Sequence, residues 1–158
     1  MFVGVLAIGL IVAWVVDDGG EVALAGRAAP DFTVELLDGG EFDLAGHLAD
    51  DGRPLVLNLW ASWCAPCRAE IPTLSAFAVT HPGTAVLGVA VEDQPEDARG
   101  LAAELDPSYP LGLADGGFES SYPNLGLPVT YFIDDSGVVT HVFNGLLTKE
   151  RLEELTTT

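Results

Sequence analysis

Residues Trp60–Cys67 read Trp-Ala-Ser-Trp-Cys-Ala-Pro-Cys and lie where one sequence pattern gives way to another. Before them, Leu55–Trp60 is a nearly continuous apolar run, which is typical of a strand buried on both faces. After them, a helical pattern runs over about 64–79. The sequence therefore predicts a buried strand, a turn and a helix, with both cysteines at the start of the helix.

Patterns on either side of this unit predict the remaining elements. They are a hairpin at Phe32–Leu37 and Glu41–Leu44, a second buried strand at Thr84–Val91, a helix at Pro95–Leu105, a second hairpin at Val129–Ile133 and Val138–Phe143, and a closing helix at Lys149–Leu155. Gly-containing turns join the strands of each hairpin, and Thr148 suits the N-cap of the last helix. Buried strands that alternate with helices and end in an antiparallel hairpin predict an α/β fold with a mixed sheet.

The chain has only two cysteines, Cys64 and Cys67. That count excludes the disulfide framework of a small secreted domain, which needs more cysteines at wider spacing. A structural zinc site needs four ligands, and His47, His81 and His141 are isolated from one another in the sequence. A zinc half-site is therefore the weaker interpretation, and a local redox dithiol is the stronger one.

A dithiol at the start of a helix suits thiol-disulfide exchange. The partial positive charge and free N–H groups of a helix N-terminus lower the pKa of a thiol there. Cys64 is predicted to be the exposed nucleophile, and Cys67, one helical turn later, the resolving thiol. Pro66 falls in the first turn, where a missing N–H costs little. A peroxidatic cysteine would want a threonine shortly before it, whereas this chain has Ser62 in a Trp-Cys-x-x-Cys setting.

The first sixteen residues, Met1–Val16, are uncharged and strongly apolar. A helix of this length spans about 24 Å, less than the ~30 Å hydrocarbon core of a bilayer, and no Lys or Arg precedes the run. We predict a transmembrane or signal anchor at 1–16, a linker at 17–25 and a domain at 26–158. A signal peptide cleaved near Ala23–Ala25, a buried core helix and a true start upstream of Met1 are the alternatives.

The formal net charge is −18, from 24 acidic and 6 basic residues. Such a field repels nucleic acid and anionic membrane surfaces, which excludes nucleic-acid partners. A strongly hydrated surface and adaptation to high salt, where screening suppresses self-repulsion, are both consistent with this composition.

Asn58–Pro72 resembles the active-site segment of the TlpA/ResA-like branch of thioredoxin-like proteins. Ala29–Phe32 resembles the Ala-Pro-Asp-Phe start of that family, and Gly126–Thr130 resembles the segment around its cis-proline. The likeness covers about 26–155. It implies a thioredoxin-like fold, in which a mixed central sheet with an N-terminal hairpin extension is flanked by helices. It also implies a domain tethered outside the cytoplasmic membrane.

The same resemblance implies roles for individual residues. Pro128 would be a cis-proline that faces the dithiol and presents the Leu127 backbone to a substrate peptide in a short β-type pairing. Glu70, one turn after Cys67, would exchange protons with the resolving thiol. Asn58 stands where thioredoxin has a buried Asp, and an amide cannot transfer that proton, so Glu70 is the remaining acid-base candidate. The substrate-binding residues would be Trp63, Ala65, Pro66, Leu127 and Pro128.

The function implied is that of a thiol-disulfide oxidoreductase that reduces disulfides in exported proteins and receives electrons from a membrane thiol-disulfide carrier. Apocytochrome c thiols and copper-site thiols are substrates of similar proteins. A net oxidant that introduces disulfides, and a non-catalytic module that binds copper or a partner protein, are the alternatives. The Cys64–Cys67 pair would be the redox centre, without cofactor or metal, in a monomer held by a single membrane segment.

Overall fold

The computed structural model describes residues 24–157, which form one seven-stranded sheet with helices on both faces. The strands are β1 Thr33–Leu36, β2 Glu41–Asp43, β3 Leu55–Trp60, β4 Ala85–Ala90, β5 Leu111–Leu113, β6 Val129–Ile133 and β7 Val139–Asn144. The helices are α1 Leu44–Gly46, which continues as a π-helix at His47–Asp51, then α2 Ala65–Thr80, α3 Pro95–Leu105, α4 Gly116–Ser121 and α5 Lys149–Thr156. The predicted anchor at 1–16 and most of the predicted linker at 17–25 lie outside the described residues.

The strands are ordered β2-β1-β5-β4-β3-β6-β7 across the sheet. The central pairs β3–β4 and β4–β5 are parallel, while β6, β7 and the hairpin of β1 and β2 are added antiparallel. This mixed sheet with helices on its faces is thioredoxin-like, and the N-terminal hairpin forms one edge of it. The predicted fold class is confirmed for the described residues.

Strand β3 is buried along its whole length because both faces of the sheet are covered. Successive side chains of a strand point to opposite faces. Val56 and Trp60 therefore join the apolar cluster beneath α2, α3 and α5, and Leu57 and Leu59 join the cluster on the other face with α4. By the same alternation Asn58, which is fully buried, faces α2.

The predicted boundaries agree closely with the observed ones where a residue typical of a helix start marks them. Helix α3 begins at Pro95 and ends at Leu105, as predicted. Helix α5 follows Thr148, whose side-chain oxygen accepts from the Arg151 N–H at 3.3 Å. The predicted elements did not include β5, α4 or the helical segment after β2. Each of these is short, and β5 consists of Leu-Gly-Leu, in which no alternation can be recognised.

Within residues 24–157, no helix is both long enough and apolar enough to cross a membrane.

Candidate active site

The two cysteines form a disulfide at the N-terminus of α2, with Cα atoms 5.3 Å apart. Cys64 is the N-cap residue, with extended backbone angles. Its sulfur accepts a hydrogen bond from the backbone N–H of Cys67 at 3.2 Å. The sulfur thus has the role that a serine or aspartate side-chain oxygen has in an ordinary N-cap. A thiolate at Cys64 would therefore have a backbone donor and the positive end of the helix dipole beside it.

The disulfide is less accessible than the sequence predicted. Only 4% of Cys64 and 0% of Cys67 is exposed to solvent. The expectation of an exposed nucleophile is wrong for this disulfide form, because both cysteines belong to the apolar cluster between the sheet and α2, and Leu127 packs against that cluster. Cys64 is still the more accessible of the two, which agrees with the predicted order of attack.

The residues around the dithiol form a surface with an exposed indole. Trp63 is 61% exposed, and Ala65 and Pro66, the first two residues of α2, are also exposed. The indole N–H of Trp63 donates to the Glu92 carbonyl oxygen at 3.0 Å. The backbone N–H and hydroxyl of Ser62 donate to the Asp93 carboxylate at 2.5 and 2.8 Å. The strand-to-helix turn is thus fixed by the residues that follow β4.

Glu92 has a left-handed backbone, with φ of 51°, a conformation that is uncommon for residues other than glycine. Its N–H donates to the side chain of Glu119 at 2.8 Å, and its carboxylate accepts from the Asn124 amide at 3.2 Å. The unusual backbone therefore brings Trp63, Glu119 and Asn124 to one point beside the dithiol. Strained backbone of this kind is frequent at functional sites.

The Leu127–Pro128 peptide bond is cis, as the family resemblance implied. Pro128 is buried and Leu127 is half-buried. The carbonyl oxygen of Pro128 accepts from the Gly145 N–H at 2.8 Å. Two bulky side chains close to these residues in the chain, Leu125 and Leu146, are exposed by 72% and 48%. The cis-proline segment therefore carries apolar surface as well as backbone groups.

Glu70 is fully buried one helical turn after Cys67. One carboxylate oxygen, Oε1, accepts from the Asn58 amide at 2.7 Å, and the other, Oε2, accepts from the Leu147 N–H at 2.9 Å. Burial raises the pKa of Glu70 to about 7, although both hydrogen bonds oppose the rise. A carboxyl group with this pKa can accept and return a proton near neutral pH.

A buried polar cluster surrounds this carboxylate on the α2 face of the sheet. The Asn58 amide nitrogen also donates to the Thr130 hydroxyl at 3.0 Å. Burial raises the pKa of the Tyr109 phenol, and the nearby Glu70 charge adds to the rise. Among the described residues, Asn58 Oδ1, Trp60 Nε1 and Tyr109 OH are buried and have no hydrogen-bond partner.

The three histidines lie apart from the dithiol and from one another. His47 contacts the Arg53 carbonyl oxygen, His81 stacks on Phe77 at the end of α2, and His141 lies on β7. Within 24–157 no three His, Cys, Asp or Glu side chains form a group that could hold a metal ion.

Comparison with known proteins identifies the family. Residues 25–142 match the AhpC/TSA family. The chain belongs to the AhpC/TSA family. Among the similar proteins, the thiol:disulfide interchange protein DsbE of Escherichia coli is 35% identical over 138 residues, 85% of this chain and 72% of that protein. The thiol-disulfide oxidoreductase ResA of Oceanobacillus iheyensis is 29% identical over 140 residues, 86% of this chain and 73% of that protein.

A solved structure agrees with these relatives. The crystal structure of a secreted Mycobacterium tuberculosis disulfide oxidoreductase, described as homologous to E. coli DsbE, has a TM-score of 0.70 and 25% identity. The match covers 80% of this chain and 94% of that one. The predicted resemblance to the TlpA/ResA-like branch is confirmed. This AhpC/TSA-family chain is a thiol-disulfide oxidoreductase with a Cys-x-x-Cys pair.

Sequence reasoning missed two features of the site. It singled out Asn58 and Glu70 separately, and did not foresee that the amide of one donates to the carboxylate of the other. It also passed over Glu92 and Asp93. A signal for these two existed, because they follow the end of β4 after one residue, Val91, and β4 is parallel to β3. Functional groups in such sheets gather where parallel strands end at their carboxyl edge.

Proposed function

We propose that this thiol-disulfide oxidoreductase is a protein-disulfide reductase that acts outside the cytoplasmic membrane. Its substrates would be disulfides in exported proteins, with apocytochrome c thiols and copper-site thiols as the candidate classes. The observation that carries the proposal is the Cys67 N–H donating to Cys64 Sγ at the start of α2. It supports a stabilised thiolate at the residue that a substrate reaches first.

The first chemical step is attack by the Cys64 thiolate on a substrate disulfide. A new sulfur–sulfur bond forms between Cys64 and one substrate sulfur, and the substrate bond breaks. The other substrate sulfur leaves as a thiolate and takes a proton from solvent. Attack at Cys64 rather than Cys67 is supported by their exposed fractions of 4% and 0%.

The second step is attack by the Cys67 thiolate on Cys64 Sγ. The intramolecular disulfide forms, and the second substrate thiol is released with two electrons transferred to the substrate. Glu70 is proposed to take the Cys67 proton before this attack and to return it when the dithiol is regenerated. The buried position of Glu70 one turn beyond Cys67 supports this role. The cysteine pair is itself the redox centre, so the proposed mechanism uses no cofactor.

The substrate would lie across the exposed residues around the dithiol. Trp63, Ala65 and Pro66 would contact it on the helix side. The Leu127 backbone, before Pro128, would pair with an extended substrate segment in the β manner. The exposed side chains of Leu125 and Leu146 would supply apolar area for the residues that flank a substrate cysteine.

The proposed location is the outer side of the cell membrane, with residues 1–16 as a single-pass anchor and the 26–158 domain outside. The apolar, uncharged composition of Met1–Val16 supports this arrangement, and so does the secreted M. tuberculosis relative. A thiol-disulfide carrier in the membrane would supply the electrons. The chain is proposed to act as a monomer and, with a net charge of −18, to avoid nucleic acid.

A redox titration of the full chain tests the direction of electron flow. Thiols are trapped by alkylation at each buffer potential and counted by mass spectrometry. A reversible two-electron couple near the ~−270 mV of thioredoxin supports a reductase, whereas a value near the ~−120 mV of DsbA would make the chain an oxidant. The absence of any reversible couple would overturn exchange chemistry altogether and leave a binding module.

A trapping experiment tests the substrate class. The Cys67→Ser variant cannot resolve the mixed disulfide, so it should accumulate covalent complexes with substrates in cell membranes. The matched control carries Cys64→Ser alone, which leaves Cys67 as the single thiol, and should trap nothing. Recovery of the same proteins with both variants would contradict the proposed order of attack, and recovery of cytoplasmic partners alone would contradict the proposed location.

A further inference from the structure

The Glu70 carboxylate is held from two sides by groups that only donate. Asn58 Nδ2 on β3 donates to Oε1 at 2.7 Å, and the Leu147 N–H before α5 donates to Oε2 at 2.9 Å. Both bonds suit an ionised carboxylate. When Glu70 is protonated on Oε1, however, its O–H faces another donor. A residue that exchanges protons in this site therefore needs a neighbour that can change from donor to acceptor.

Asn58 is such a neighbour, because its amide carries a donor at one end and an acceptor at the other. Nδ2 makes two hydrogen bonds, to Glu70 and to the Thr130 hydroxyl. Oδ1 is buried and has no partner among the described residues. Rotation of the amide by half a turn therefore breaks the two hydrogen bonds of Nδ2. It breaks no hydrogen bond of Oδ1, because Oδ1 makes none.

The rotated amide can form both bonds again with the opposite polarity. Oδ1 would then lie where Nδ2 lies now and accept from the protonated Oε1 of Glu70. The Thr130 hydroxyl accepts from Nδ2 at 3.0 Å in this structure, and the same hydroxyl can turn and donate to Oδ1. An ionised aspartate at position 58 would fail, because it has no donor for the ionised Glu70.

We propose that Asn58 is a positioning residue whose amide rotates as Glu70 gains or loses its proton, with Thr130 reversing its hydrogen bond in concert. The carboxyl group then stays at one place in both protonation states, and the proton is exchanged with Cys67 without rearrangement of the core. This inference rests on the proposed role of Glu70 in proton exchange. The rise in the pKa of Glu70 supports it, since both states are then populated near neutral pH.

Few other titratable groups face Glu70. Cys67 precedes it by one turn on α2, and the Tyr109 phenol, before β5, interacts with its charge. β3 and β6 contribute the neutral Asn58 and Thr130, and the segment before α5 contributes the Leu147 N–H. In the disulfide form neither cysteine titrates, so Glu70 can be followed there without interference from a thiol.

The direct test is a pH titration of the isotope-labelled full chain in its disulfide form by NMR. The Glu70 side-chain carbon reports the proton, and contacts of the Asn58 NH2 protons with the Thr130 side chain report the amide orientation. We expect these contacts to be lost below the Glu70 midpoint and to return above it. Persistence of the contacts on both sides of the midpoint would overturn the proposal, since the amide would then be fixed.

Two controls accompany this titration. The Asn124 amide also donates to a carboxylate, that of Glu92, but this pair is exposed. Its signals should not change at the Glu70 midpoint. In Glu70→Gln the partner of Asn58 no longer titrates, so the Asn58 contacts should become independent of pH. A pH-dependent Asn58 contact in that variant would mean that another group drives the rotation, and would also overturn the proposal.

A kinetic test measures the resolution step, in which Cys67 attacks a preformed mixed disulfide on Cys64. Asn58→Leu removes both ends of the amide at similar volume, and Thr130→Val removes the hydroxyl. We expect each variant to move the pH midpoint of this step. Asn58→Leu should slow the step about tenfold, the size expected for one hydrogen bond to a charged group, and Thr130→Val should slow it several-fold, because its hydroxyl bonds the neutral Asn58 amide. Thr140→Val, on the neighbouring strand β7, should leave the rate and midpoint unchanged.

These outcomes separate the inference from the proposed function. If Asn58→Leu and Thr130→Val lose only thermal stability and keep the wild-type pH midpoint, Asn58 is a structural residue and the inference fails while exchange chemistry stands. If the wild-type resolution rate shows no midpoint near that of Glu70, the proposed proton exchange fails, even if the NMR titration shows that the amide rotates.

Discussion

The backbone N–H of Cys67 donates to the sulfur of Cys64 over 3.2 Å, across the first turn of α2. The residue that resolves the mixed disulfide therefore also supplies a donor to the nucleophile. The bond comes from the N-cap position of Cys64, since an N-cap side chain accepts from the third residue of its helix. The two-residue spacing between the cysteines thus allows the disulfide to form and also places the Cys67 N–H where it can stabilise a Cys64 thiolate.

The first prediction concerns the pKa of the Cys64 thiol in the reduced protein. The Cys67 N–H and the helix N-terminus favour the thiolate, so the pKa should fall below the ~8.5 of a free cysteine. The rate of alkylation by iodoacetamide against pH, measured on Cys67→Ser so that one thiol reacts, gives this value. The same variant in urea is the reference. An equal midpoint in the folded and unfolded states would contradict the prediction.

The second prediction concerns stability and Glu70. Burial raises the pKa of Glu70 from 4.5 to about 7, so the folded state holds this proton more tightly than the unfolded chain. Stability is therefore lost as pH rises from about 4.5 to about 7, by about 3 kcal/mol. Glu70→Gln should abolish this component, which urea denaturation at several pH values measures. Glu41→Gln, an exposed glutamate on β2, is the control and should follow the wild type.

The third prediction separates binding from stability at Trp63. This side chain is 61% exposed, and its indole N–H donates to the Glu92 carbonyl oxygen, so Trp63→Ala should lower the free energy of unfolding by no more than about 1 kcal/mol. It should raise KM for a protein disulfide several-fold through loss of substrate contact. Val79→Ala is a matched control, since Val79 is 66% exposed at the far end of α2, the helix that follows Trp63. Equal effects on KM would show that Trp63 does not contact the substrate.

The fourth prediction concerns packing at Gly88, which pairs with Asn58 across β3 and β4. A Cβ atom at Gly88 would lie 2.5 Å from a Leu111 methyl carbon and 3.1 Å from the Trp60 indole nitrogen. Gly88→Ala should therefore cost about 1–3 kcal/mol through overpacking. Gly83→Ala is the control, because a Cβ there meets nothing within 4 Å. Urea denaturation of both variants measures the difference.

Much of the fold was predictable because its signals are local. The uninterrupted apolar run of β3 and the proline at the start of α3 each depend on a few neighbouring residues. β5 and α4 were missed for a physical reason: three residues of strand and six of helix are too short to show a period. They are stabilised by the sheet and core that surround them rather than by their own pattern.

The site was predictable in its residues and less so in its environment. The Cys-x-x-Cys spacing and the family likeness indicated the dithiol and the cis-proline, and the structure has both. The low exposure of Cys64 and the complete burial of Glu70 could not be foreseen. Both depend on contacts between segments far apart in the chain, such as the bond from Leu147 to Glu70.

The connection between β7 and α5 has a consequence for engineering. Gly145 is bonded to the Pro128 carbonyl and Leu147 to the Glu70 carboxylate, so a single residue, Leu146, separates two anchors. An affinity tag or reporter peptide inserted here would disturb both hydrogen bonds, that of Gly145 and that of Leu147. The exposed turn at 38–40, at the far edge of the sheet, has no such anchors to the site and is the place where an insertion would be tolerated.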